Sequence, residues 1–106
     1  MYKRQVIGGE GNDDMDGGSA NDVMSGGNGN DLMRGSTGND ELSGGAGDDD
    51  IFGGGGNDIL NGNRGDDKLF GGGSNDTLTG GSDTDSCDGE GGVDTTSSCE
   101  SASNVP

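Results

Sequence analysis

Aspartate returns every nine residues from Asp13 to Asp94, through Asp22, Asp31, Asp40, Asp49, Asp58, Asp67, Asp76 and Asp85. With the preceding glycine taken as position 1, this aspartate is position 6 of a nonapeptide such as Gly53-Gly54-Gly55-Gly56-Asn57-Asp58-Ile59-Leu60-Asn61. Position 8 is Met15, Met24, Met33, Leu42, Ile51, Leu60, Leu69, Leu78 and Cys87. A short fixed period makes each repeat one structural unit that buries its apolar side chain only by stacking on its neighbours.

The residue types within a unit divide the work. Positions 1 to 5 are mostly Gly, Asn, Asp and Ser, which tolerate positive φ and tight turning. In positions 7 to 9 an apolar residue stands between neighbours of varied polarity, the alternation of a very short strand with one face inward. Six turn residues and three strand residues cannot build a helix, and collagen needs Gly at every third position. Two nonapeptides therefore close one flattened 18-residue coil. The expected fold is all-β: a right-handed parallel β-roll with two short parallel sheets and the position-8 side chains between them.

Composition says what must hold such a stack together. Only 23% of the 106 residues are hydrophobic, 27 are Gly, and 21 acidic against 5 basic residues give a net charge of −16. So little apolar surface cannot offset chain entropy, and like charges repel, so the chain alone should be disordered. The acidity argues against nucleic acid and anionic membranes as partners, and no apolar run approaches the length of a membrane span. Met1 to Ile7 is too short and polar for a secretory signal peptide. Either the sequence is a piece of a longer protein or export takes a route without a cleaved N-terminal signal, and the residues do not choose between these.

The repeats resemble the repeats-in-toxin (RTX) family, with its Gly-Gly-x-Gly-x-Asp-x-apolar-x consensus. The resemblance runs from Gly8 to Asp88 as nine consecutive units, with Gly89–Ser97 a degraded tenth. Departures fall at position 2 (Ser36, Asn63, Glu90) and position 4 (Ala20, Ser74, Asp83), where local geometry should suffer. The resemblance implies calcium in the turns. Loops on one edge are 18 residues apart, and strands at ~4.8 Å spacing would set their carboxylates in mutual repulsion without an intervening cation. Calcium takes about six to eight oxygens, carbonyls included, whereas magnesium holds its waters more tightly. Zinc lacks its ligands in a chain with no His and two Cys.

The family pattern supplies one carboxylate and two alternating carbonyls from each of two loops. Asp13, Asp31, Asp49, Asp67 and Asp85 should line one edge, and Asp22, Asp40, Asp58, Asp76 and Asp94 the other. The expected carbonyl donors are Gly9, Gly11, Gly18, Ala20, Gly27, Gly29, Ser36, Gly38, Gly45, Gly47, Gly54, Gly56, Asn63, Gly65, Gly72 and Ser74. Four gaps on each edge give about eight calcium sites, since each ion lies between successive loops of an edge. Asp14, Asp48, Asp50 and Asp66 fall outside the column and read as surface charge. Met15, Met24 and Met33 read as core filling. The run Asp83 to Gly89 suggests an EF-hand loop, but its Gly comes one place late.

Residues 1–7 read as an N-terminal cap strand led by Tyr2, Val6 and Ile7, residues 8–97 as the roll, and 98–106 as a C-terminal cap. A solenoid end exposes core and needs covering. A disulfide between Cys87 and Cys99 would staple the tail there, with a chain-entropy gain of about 3 kcal/mol, and would imply an extracellular setting. The alternative is two reduced thiols. Phe52 and Phe70 share position 9 on neighbouring rungs, with Arg34 on the next, as a cross-strand ladder with a stacked guanidinium or as a partner contact. Thr77, Thr79, Thr95 and Ser97 form a small hydroxyl array on the opposite sheet.

The function expected is a calcium-dependent structural module of a secreted protein, folding in external calcium after export in an unfolded state. The rival is a self-assembling or adhesive element, joined through its coil ends or the Phe52/Phe70 face. An enzyme is not expected: there is no His, no nucleophile with a base beside it, and a core one side chain thick offers no pocket.

Overall fold

Each nonapeptide contributes one strand, and successive strands alternate between two sheets. The computed structural model describes residues 3–103. The strands are β1 (Lys3–Gly9), β2 (Asp14–Asp16), β3 (Asn21–Asn28), β4 (Leu32–Ser36), β5 (Glu41–Ala46) and β6 (Asp50–Gly54). They continue as β7 (Ile59–Asn63), β8 (Lys68–Gly72), β9 (Thr77–Gly81), β10 (Ser86–Glu90), β11 (Thr95–Ser97) and β12 (Ser101–Ser103). One sheet has the order β1-β3-β5-β7-β9-β11 and the other β12-β10-β8-β6-β4-β2. All pairings are parallel, and interior rungs are in register at a spacing of 18 residues, as in Met33↔Ile51 and Leu42↔Leu60. The fold is a parallel β-solenoid.

The strands are longer than positions 7 to 9 alone. A typical strand such as β8, Lys68–Gly72, runs on through positions 1 and 2 of the next unit. The reason is a second inward position. Along most strands positions 8 and 1 are both buried, and the position-6 aspartate just before the strand is buried too. Positions 6, 8 and 1 are therefore alternate residues facing one way, as pleating requires.

The core is a file of position-8 side chains, Met15, Met24, Met33, Leu42, Ile51, Leu60, Leu69, Leu78 and Cys87, all buried, with Val6 and Cys99 packed against it. Val6 pairs with Met24, so β1 continues the core file by one more rung. Tyr2 lies outside the described residues. At the other end Cys87 and Cys99 are disulfide-bonded, with Cα atoms 6.0 Å apart, within the span such a bridge requires. On the outer face of one sheet the Phe52 and Phe70 rings stack at 4.8 Å between centroids. Arg34 pairs in register with Phe52, and its guanidinium reaches Asp14 Oδ1 at 3.3 Å. On the other sheet Thr79 and Ser97 hydroxyls meet at 3.3 Å.

Candidate metal centre

The turns hold their shape by backbone conformation. Every residue at position 2 or 4 has positive φ, from Gly9 (95°) and Gly11 (94°) to Glu90 (68°) and Gly92 (98°). This includes all sixteen residues expected to offer carbonyls. The substituted positions keep the turn as well, contrary to the expectation that geometry would suffer there. Ala20, Ser36, Asn63, Ser74, Asp83 and Glu90 sit at φ between 68° and 79°, whereas the glycines of these columns lie between 87° and 111°. A left-handed backbone is costly for residues with a Cβ. The smaller φ brings them toward the left-handed well open to L residues.

Carboxylates and amides then form a ladder along each edge. From Asp13 through Asp76, the amide of each position-6 aspartate donates to Oδ1 of the aspartate 18 residues ahead: Asp31 to Asp49, Asp49 to Asp67 and Asp40 to Asp58, all at 2.8 Å. The ladder fixes which carboxylate oxygen is left over. Among the described residues, Oδ2 of Asp13, Asp31, Asp40, Asp49, Asp58, Asp67, Asp76, Asp85 and Asp94 is buried without a hydrogen-bond partner. A buried carboxylate oxygen without a donor is strongly unfavourable unless a cation satisfies it.

Position 1 shows what shares that space. Its glycine is absent from the positive-φ columns in every unit from Gly8 to Gly89, so conformation does not explain it. Room does. A Cβ built on Gly53 would lie 2.6 Å from Asp58 Oδ2 and 2.6 Å from the Gly71 carbonyl oxygen one coil on. Carboxylate and carbonyl oxygens thus approach one space, an all-oxygen arrangement suited to a hard cation. Among the described residues no group of three or more His, Cys, Asp or Glu side chains gathers for a metal. The donor set must be completed by carbonyls. Those of Gly18, Ser36, Gly45, Gly54 and Gly72 accept one amide each from the next coil, at 2.8–3.1 Å, which leaves a second lone pair.

The electrostatics agree. Burial raises Asp58 and Asp67 to about 7, opposed by the amide each accepts from and reinforced by neighbouring carboxylates. Asp49 and Asp76 are raised to about 6 for the same reasons. Asp31, Asp40 and Asp85 are raised in the same sense, again by burial first.

A second ladder occupies position 5, which the sequence reading assigned only to turning. Here the direction is reversed: the amide donates to the side chain 18 residues behind. Asn30 donates to Asn12 Oδ1 at 2.8 Å, Asn39 to Asn21 at 2.7 Å, Asp48 to Asn30 at 2.8 Å and Asp66 to Asp48 at 2.9 Å. Asp48 and Asp66 are thus ladder members and not merely surface charge, while Asp14 and Asp50 are exposed strand positions. The signal lay in the column itself: position 5 is Asn or Asp in eight units and then becomes Thr84 and Val93.

A parallel β-solenoid whose two edges are lined by buried, underbonded carboxylates defines a class of cation-binding repeat module. The RTX calcium-binding nonapeptide repeat family matches this chain over residues 5–24, 25–60 and 61–96. The protein belongs to that family, and is a calcium-binding module. No curated protein matches the chain.

Proposed function

We propose that the chain is a calcium-binding structural module of a secreted protein, and that calcium binding drives its folding. The observation that carries this reading is the file of buried Oδ2 atoms without a partner on Asp13, Asp31, Asp40, Asp49, Asp58, Asp67, Asp76, Asp85 and Asp94. The fold places negative oxygens in its interior along both edges, and the described residues supply no donors for the nine named. Calcium binding only to the folded state stabilises it by mass action. Folding then follows the ion concentration, and extracellular calcium is the matching environment.

The position-6 carboxylates, Asp13 through Asp94, are the charged ligands, and carbonyls of positions 2 and 4 complete each site. The converging position-1 carbonyls, such as Gly71, enlarge the donor pool beyond the one read from the sequence. About eight ions fill the gaps between successive coils if each takes one gap. The module has a structural and not a catalytic role, and the disulfide suits an oxidising, extracellular location. Far-ultraviolet circular dichroism during a calcium titration tests the proposal. The expected course is from a disordered spectrum in chelator to a β-rich one, with a cooperative rise. A β-rich, compact chain in excess chelator would overturn it.

A further inference from the structure

The C-terminal end breaks the period but repeats the site. Interior rungs are 18 residues apart, as in Lys68↔Ser86, but the last one, Ser86↔Ser101, is 15. Glu100 therefore stands immediately before β12, as Asp85 stands immediately before β10. The Asp85 amide donates to Glu100 Oε1 at 2.7 Å. This continues the ladder in which the Asp67 amide donates to Asp85 Oδ1 at 2.9 Å. Glu100 has taken the place of an eleventh column aspartate, although it is neither an aspartate nor in the nine-residue register.

The inner side of an interior gap is present as well, while Glu100 itself is exposed. Asp85 is 1% exposed, and its Oδ2 is one of the buried oxygens without a partner. A Cβ built on Gly80 would lie 2.7 Å from that oxygen and against the carbonyl oxygen of Ser98. Ser98 thus supplies the carbonyl that Gly71 supplies beside Asp58. It also accepts the Gly81 amide at 3.2 Å. Between these two donors in sequence lies Cys99, bonded to the fully buried Cys87.

We propose that the gap between Asp85 and Glu100 is an additional calcium site. Its ligands are Asp85 Oδ2, the Ser98 carbonyl and the second carboxylate oxygen of Glu100, and the Cys87–Cys99 disulfide holds the last two in place. The site rests on the calcium reading above, but it concerns residues outside the repeat. It makes the terminal coil a bound part of the stack, and it makes its ion dependent on the disulfide.

Native mass spectrometry of the calcium-loaded full chain counts the ions, and circular dichroism verifies the fold. Glu100→Gln should carry one calcium ion fewer than the parent with the same β spectrum. The parent with its disulfide reduced should also lose one. Asp50→Ala should keep the parent count. An unchanged count in folded Glu100→Gln would overturn the site, and an unchanged count on reduction would overturn the clamp. If Glu100→Gln fails to fold in calcium, the parent count decides: one ion more than the gaps between column aspartates supports the site, and a count equal to those gaps overturns it. A parent that binds no calcium would sink the calcium reading itself, and this site with it.

Discussion

The Asp49 amide donates to Asp67 Oδ1 at 2.8 Å, and by holding that oxygen it leaves Asp67 Oδ2 buried in the gap without a donor. One hydrogen bond thus organises a ligand. The two oxygens of each carboxylate have separate duties, one toward the backbone and one toward a cation, and substitutions can separate them.

Asp49→Asn keeps an oxygen to accept the Asp31 amide but removes the charge. It should weaken calcium binding while leaving the metal-free chain no less stable. Asp49→Ala also strands that amide, at a further cost of about 1–3 kcal/mol. Asp50→Ala, with the same charge change one residue on, alters an exposed strand position and should change little. Calcium titrations of the three variants check this order. Equal behaviour of Asp49→Ala and Asp50→Ala would mean that the acids act as a diffuse ion atmosphere.

Acid and calcium should act in opposite ways. In the fold without a cation, Asp58 and Asp67 are raised from 3.8 to about 7, and Asp49 and Asp76 to about 6. Protonation therefore favours folding. The stabilisation is fully present below the unfolded value near 3.8 and is lost as pH rises through 6 to 7. In chelator, the chain should gain β structure on acidification from about pH 8 to about pH 4. With calcium, which needs the carboxylates ionised, affinity should fall as pH drops through the same window. Circular dichroism against pH, with and without chelator, would expose the error if both conditions shifted the same way.

The left-handed turn positions differ in what they tolerate. Ala20 holds φ at 74°, and Ala20→Gly should stabilise the calcium-bound fold by about 1 kcal/mol. Gly29 has φ 109°, and a Cβ there would press on the Gly11 carbonyl oxygen. Gly29→Ala should destabilise by about 2 kcal/mol or more. Thermal melts in saturating calcium measure both, and a loss of stability in Ala20→Gly would contradict the strain argument.

Much of this was legible in the sequence because a period of nine fixes the inward face, the strand and the edge together. Position 8 named the core, and position 6 named the two carboxylate edges. The strand extension through positions 1 and 2 was not legible, because glycine has no side chain to announce that it faces inward. Gly53 is buried only because Asp58 needs the space in front of it. Glu100 was hidden for another reason: a coil of 15 residues takes its carboxylate out of the column, and only the folded register restores it.

The position-5 ladder offers a comparison within one column. Asn39 Oδ1 accepts the Asn57 amide at 2.8 Å, whereas Thr84 contributes only its amide, to Asp66 Oδ1 at 3.0 Å. Asn39→Ala should cost about 1 kcal/mol, the net worth of one hydrogen bond, and Thr84→Ala close to nothing. Denaturant unfolding in calcium measures the difference, and equal losses would show that the side-chain oxygen is idle.

That column also works as a counting device. Each Asn or Asp at position 5 is an outstretched acceptor that expects a further coil. The expectation ends at Thr84 on one edge and at Val93 on the other, where the Val93 amide still reaches back to Asn75 Oδ1 at 2.8 Å. Val93 has no oxygen to hold out to a successor. Beyond Thr84 the stack nonetheless receives β12 on β10, so the topmost storey hangs from Glu100 and the disulfide and not from this column.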